Sequence, residues 1–141
     1  MTFHHADFVF VVPDDWLPSK RAAATYFTPA ASQWPTDVVA IDDIEPPRRP
    51  IGVFVDGGEP PMTAKDRTGR IFQAFAANIP LDPVHLCPRR CRSADGRYFL
   101  ADGTHRLYAS IAFGYTSIPV IFIDDSLRCF NEEAYQARLR R

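Results

Sequence analysis

Between Arg97 and Ile123 the sequence runs RYFLADGTHRLYASIAFGYTSIPVIFI, and its pattern permits few arrangements. Arg97 to Ala101 alternates and is rich in aromatics, as a pleated, half-buried strand requires. Asp102-Gly103 interrupts that alternation. Leu107, Ile111 and Gly114 then fall three or four residues apart, the spacing of one helical face. Gly114 is placed to cap this helix, and Ile118 to Ile123 is a short apolar strand entered through Pro119. Asp102, Gly103, Thr104, His105 and Arg106 therefore sit where the carboxyl end of a strand meets the amino end of a helix. Unpaired backbone N–H groups and the positive end of the helix dipole favour an anion at such a junction.

The other elements follow from the same kinds of signal. Asp7 to Val12 reads as a strand, and Ser19 is placed to cap a short helix from Lys20 to Phe27. Thr28 to Pro35 reads as loop. Val38 to Ile44 reads as a strand, followed by Glu45-Pro46-Pro47-Arg48-Arg49-Pro50, whose prolines force an extended segment presenting two arginines. Ile51 to Val55 is another short strand. Thr63 caps a helix that runs to about Asn78, with Ile71, Phe72, Phe75 and Ile79 as its core face and Asp66 completing a weak capping box. Val84 to Arg92 reads as a strand joined to Arg97 to Ala101 through the hairpin turn Ser93-Ala94-Asp95-Gly96. Asn131 caps a last helix, Glu132 to Arg140. The expected fold is α+β: one domain over residues 37–141 with a small mixed sheet and flanking helices. An extension over residues 1–36, a strand and a short helix, precedes it and is placed to pack on that core or to cover the junction. Beside the fraying terminus, His4-His5 is expected to be solvated.

Composition narrows the function classes. A formal net charge of -1 provides no whole-molecule attraction to nucleic acid or acidic membranes. Thirteen prolines favour short elements joined by rigid turns over a helical bundle. No apolar run approaches the roughly 20 residues that span a bilayer, and MTFHHADFVFVV lacks a secretory pattern. Three cysteines suit a reducing compartment better than a disulfide framework, so a cytoplasmic location is expected. Cys87 and Cys91, four apart on a strand, would lie about 13 Å apart, too far to share one zinc ion or a disulfide.

The Asp102-to-Arg106 junction supports two readings. In the plain one Asp-Gly makes a bend, Thr104 caps the helix, and His105 and Arg106 face water. In the functional one Gly103 lets a phosphate approach the backbone, Thr104 offers a hydroxyl and Arg106 a bidentate cation. Asp102 then supplies a metal-binding or general-base group and His105 a group that titrates near neutrality. Arg48 and Arg49 are placed to reach the same phosphate. Arg89, Arg90, Arg92 and Arg97, with Arg138, Arg140 and Arg141, form a candidate nucleic-acid face.

The segment VHLCPRRCRSADGRYFLADGTHRLYASIAFGYTSIPVIFID resembles the ParB/sulfiredoxin superfamily (the ParB-like nuclease domain), as does the earlier VVAIDDIEPPRRPI. The shared pattern is a strand, an Asp-Gly hairpin, a strand, a Gly-x-x-Arg helix start and a Gly-x-x-x-Ile-Pro-Val strand. It covers about Val38 to Asp124 and is strongest over Arg97 to Ile123. The resemblance implies a ParB/sulfiredoxin-like fold and nucleotide phosphates held by Gly103, Thr104, His105 and Arg106, with help from Arg48. Sulfiredoxins carry a catalytic cysteine where Thr104 stands, so sulfinic-acid reduction is not expected. Partition ParB proteins carry Gly-Glu-Arg-Arg for CTP and a following helix-turn-helix domain. Thr104-His105 replaces Glu-Arg here and the chain ends at Arg141, so a segregation protein is not expected either. The Asp-Gly-x-His-Arg form is more similar to small ParB-like proteins, including a branch that phosphorylates free serine and uses a glutamate as base. Glu45 would take that position. The function so implied is NTP-dependent phosphoryl chemistry, as an NTPase or small-molecule kinase, with ATP or another nucleoside triphosphate and Mg²⁺ on Asp102. Asp102, His105 and Glu45 would be the catalytic groups. A ParB-like nuclease or DNA-binding accessory protein, and a non-catalytic interaction module, are the alternatives.

Overall fold

In a computed structural model, residues 1–17, 24–29, 36–48 and 64–123 are described. The expected strand at 51–55, the cap at Thr63, the last helix at 132–140 and the arginines at 49, 138, 140 and 141 fall outside them. The chain opens with a hairpin in place of the single expected strand. β1 (Thr2–His5) and β2 (Phe8–Val11) pair antiparallel with Phe3 opposite Phe10. Ala6 takes a φ of 54° in the tight turn between them. A 3-10 turn follows at Asp14–Trp16. Residues 24–27 are not helical, so the carboxyl half of the helix expected there does not form; residues 20–23 lie outside the description.

β3 (Asp37–Ala40) is shorter than the expected strand because the Asp42-Asp43 pair lies in a 3-10 turn, Ile41–Asp43. The chain rejoins the sheet only as a single bridge, Ile44 with Tyr98. Helix α1 (Ala64–Ala77) runs unbroken through Gly69. It ends in a Schellman cap: Asn78 adopts φ 56°, Asn78 N–H donates to Phe75 O at 3.3 Å, and Ile79 N–H donates to Ala74 O at 2.9 Å. That left-handed turn moves Ile79 off the helical face. Phe72 and Phe75 are buried as expected, whereas Ile79 is 55 % exposed.

β4 (Val84–Leu86) stops well short of Arg92. Pro88 cannot extend the ladder, and Cys91 N–H turns back to Pro88 O at 2.8 Å. Cys87 and Cys91 are therefore not on one strand face. Cys87 is a buried free thiol and Cys91 is disulfide-bonded, which corrects the expectation of reduced thiols for Cys91. β5 (Leu100–Asp102), α2 (Thr104–Phe113) and β6 (Ser117–Phe122) realise the strand–turn–helix–strand pattern. Gly114, at φ 98°, closes α2 with the same kind of cap as Asn78, Tyr115 N–H reaching Ser110 O at 3.0 Å.

The four-stranded sheet has the order β3-β6-β4-β5 and is mixed. β4 lies parallel to β6 with Val84 opposite Val120, and the other pairs are antiparallel. Alternation around β5 divides the apolar residues between two faces. Tyr98 and Leu100 join the main core, while Phe99 and Ala101 join a smaller cluster with Cys87 and Cys91. Helix α2 is buried nearly all round, since the sheet, α1 and the N-terminal hairpin each cover part of it. Tyr108 is stacked by Phe10 at 4.6 Å and Phe8 at 5.7 Å. No helix among the described residues is long and apolar enough to cross a membrane.

Candidate functional site

Gly103 makes the junction of β5 and α2 possible. Its φ is 109°, and a Cβ there would meet Val84 Cγ1 at 2.6 Å. Only a residue without a side chain combines that conformation with so close an approach. Gly103 is the N-cap and provides no side-chain hydrogen bond, so Thr104 is the first helical residue and not the cap that the plain reading requires. The first intrahelical bond is Leu107 N–H to Gly103 O at 2.9 Å. At the amino end of this ten-residue helix the N-cap residue itself therefore contributes no side-chain hydrogen bond.

Arg106 is only partly exposed and is held by the fold. Its Nη1 donates to Asp82 O at 2.7 Å and to Pro83 O at 3.0 Å, and its Nη2 lies 3.6 Å from Asp102 Oδ2. The Asp82 carbonyl also accepts from the Tyr26 hydroxyl at 2.9 Å, and burial pushes the Tyr26 pKa upward. Leu81 N–H donates to Phe27 O at 2.9 Å. The loop before β4 is therefore tied to α2 and to the 24–29 segment. Between this loop, α1 and the start of α2 lies an open cleft of about 490 Å³. Gly103, Thr104, His105 and Arg106 line one side, with Asp102 at their edge; Arg67 and Ile71 of α1 and Leu81-Asp82 line the rest.

Glu45 and Arg48 are not brought to this cleft. Glu45 N–H donates to Tyr98 O at 2.8 Å, which places Glu45 about 13 Å of strand away from Asp102. Its carboxylate is 1 % exposed and lies 3.3 Å from Arg48 Nη2 and 3.6 Å from Arg97 Nη1. Arg48 Nη2 also donates to Asp7 Oδ1 at 2.6 Å, joining the hairpin turn to the proline segment. Burial alone would lower the Arg48 pKa, but the hydrogen bonds to Asp7 and Glu45 outweigh it and raise it. His5, expected in solvent, is buried beside this cluster with Nε2 2.7 Å from Ile44 O. Burial lowers its pKa despite that hydrogen bond.

The hairpin arginines are also committed inside the fold. Arg89 bonds Asp37 at 2.6 Å and lies over the Phe122 ring. Arg92 donates to Arg89 O, Gly96 O and the Tyr98 hydroxyl while lying over the Tyr98 ring. Arg97 donates to Asp42 O and Asp95.

A larger groove, about 680 Å³, lies on the other flank of α1 between Trp16, Arg70 and Gln73. It holds none of the residues that the motif points to, and size alone does not decide between the two. Among the described residues no group of three or more His, Cys, Asp or Glu side chains could hold a metal ion. Sequence reasoning missed Arg67 and Asp82 as lining residues. The available signal was Arg67 itself, a cation in the first turn of a helix, where the dipole disfavours positive charge. No family model and no curated protein matches the chain. What the fold defines is a small α+β protein with a cleft at a helix amino end.

Proposed function

We propose that this cleft binds the phosphates of a nucleoside triphosphate with Mg²⁺, and that the protein carries out hydrolysis or phosphoryl transfer there. The observation that supports the reading is the amino end of α2, which opens beside Gly103 into a cleft lined by Thr104, His105, Arg67 and Arg106. Backbone N–H groups of the first turn and the Thr104 hydroxyl would hold phosphate oxygens. Asp102 and Asp82, both lining the cleft, offer hard oxygen ligands; Mg²⁺ commonly takes one or two carboxylates together with phosphate oxygens. Bound Mg²⁺ would neutralise phosphate charge. His105 is placed to hold or pass a proton at the acceptor, and Asp102 is the second candidate for that task. Glu45 and Arg48 have no part in this scheme, because they neutralise each other in a separate cluster. A DNA-tracking role draws less support, since Arg89, Arg92 and Arg97 already have partners.

Thermal unfolding with ATP, ADP, CTP and GTP, with and without Mg²⁺, tests the reading. A ligand at about 100 times its dissociation constant adds about 2.7 kcal/mol of stability. One triphosphate should stabilise the protein in this way, and product should accumulate when its acceptor, water or a small alcohol, is present. If none stabilises it, the cleft is not a nucleotide site and the non-catalytic module takes its place.

A further inference from the structure

We propose that Arg67, and not Arg106, is the guanidinium that contacts the anionic group of the ligand, while Arg106 is a positioning residue. This rests on the phosphate reading of the cleft and deepens it. Arg106 spends both N–H bonds of Nη1 on the Asp82 and Pro83 carbonyls and leans its Nη2 on Asp102. Turning it toward a phosphate would take the donor from the Pro83 carbonyl, leave the Asp82 carbonyl to Tyr26 and loosen the loop that forms one wall of the cleft. Arg67 stands on another wall, exposed, and no hydrogen bond or ion pair joins it to the described residues. It is the fourth residue of α1, where the helix dipole opposes a cation, and no carboxylate among the described residues pairs with it. An anion seated on the α2 amino end would supply the missing counter-charge from across the cleft.

The charge balance points the same way. Asp82 and Asp102 line the cleft with two negative charges, against Arg67 and Arg106. With Arg106 shared with Asp102, Arg67 is the cationic side chain of this lining left to join Mg²⁺ in offsetting a phosphate chain. A planar guanidinium can grip two phosphate oxygens at once, which a lysine ammonium cannot. The ligand class is therefore a linear di- or triphosphate long enough to touch both helices. Such a chain could belong to a nucleotide or to inorganic polyphosphate.

The test is titration calorimetry of the intact chain with MgATP, MgCTP and magnesium tripolyphosphate. The proteins compared are wild type, Arg67→Ala, Arg67→Lys and, as a control on the opposite flank of α1, Arg70→Ala. Arg67→Ala should weaken binding at least about tenfold, the scale of one lost charge-assisted pair. Arg67→Lys should recover part of that loss, Arg70→Ala should bind as wild type does, and all four should melt alike without ligand. Tripolyphosphate binding as tightly as the nucleotides would assign recognition to the phosphate chain alone, and weaker binding would add the nucleoside; either outcome supports Arg67 if its removal matters. Unchanged affinity in Arg67→Ala overturns the assignment and leaves the nucleotide reading standing. Binding of no probe by wild type overturns both.

Discussion

A Cβ placed on Gly103 would lie 2.6 Å from Cγ1 and 2.9 Å from Cβ of Val84. The start of α2 is thus seated directly on β4, and the direction in which its amino end points is set by that contact. Gly103→Ala must relieve the overlap and also hold a φ of 109°. A left-handed position costs a non-glycine residue about 1 kcal/mol or more, and overpacking adds roughly 1–3 kcal/mol. The expected outcome is a loss of about 2–4 kcal/mol in urea unfolding, with any phosphate affinity falling alongside. Wild-type stability would show that the junction is not rigid.

Arg106→Ala should destabilise the unliganded protein. It removes the donor to two carbonyl oxygens that anchor the loop before β4. Hydrogen bonds from charged groups contribute about 1.5–3 kcal/mol, and the Arg106 side chain is only 20 % exposed, so the effect should fall in that range. Arg106→Lys keeps the charge but not the fork, and should recover less than half. If Arg106→Ala melts like wild type, its bonds to the loop do not matter and the anchoring role is wrong.

Local patterns were legible in the sequence; long-range commitments were not. Helices α1 and α2 and the strand–turn–helix–strand stretch could be read because helical period, Asp-Gly and capping glycine act over a few residues. The Asn78 cap was missed because asparagine adopts the left-handed conformation less conspicuously than glycine, and Ile79 was misplaced with it. The N-terminal hairpin was invisible since Ala6-Asp7 is not a hairpin dipeptide that sequence rules recognise. His5 looked solvated for the same reason: its partner, the Ile44 carbonyl, is thirty-nine residues away. At the candidate site the residue types were readable. Their directions were not, because Arg106 turns toward carbonyls contributed by a loop some twenty residues earlier.

Thr104→Glu separates binding from folding. At the first position of α2 a carboxylate interacts favourably with the helix dipole, by about 0.3–1 kcal/mol. The same charge repels a phosphate at the amino end. The variant should therefore melt at or slightly above the wild-type temperature while nucleotide stabilisation disappears. Retained nucleotide stabilisation in this variant would place the phosphates elsewhere.

Glu45 is a structural charge in this fold, and Glu45→Ala should reveal it. The carboxylate is 1 % exposed between Arg48 and Arg97, so its removal leaves two partly buried guanidinium groups without their shared buried partner. Breaking a buried ion pair from one side costs about 3–5 kcal/mol. The upper half of that range is not expected, because Arg48 keeps Asp7 and Arg97 keeps Asp95. Denaturant unfolding should show a loss near 3 kcal/mol. A variant that folds as wild type but loses turnover would instead make Glu45 a catalytic base.

Acid should loosen the N-terminal hairpin through His5. Burial is the largest influence on this imidazole and lowers its pKa from the ordinary 6.5; the hydrogen bond to Ile44 O and the nearby Asp42 and Glu45 favour the charged form, and Arg97 opposes it. The net direction is downward, so the folded state holds His5 neutral while the unfolded chain protonates more readily. Stability is then complete above pH 6.5 and declines as pH falls from 6.5 toward the folded-state value. The slope for one proton is at most about 1.4 kcal/mol per pH unit. Melting temperatures at pH 7.5, 6.5 and 5.5 should show this decline in wild type. His5→Gln keeps a donor for Ile44 O without a titrating group, and its melting temperature should be lower at pH 7.5 but nearly flat over the same interval. Parallel curves for the two proteins would mean that another group carries the acid sensitivity.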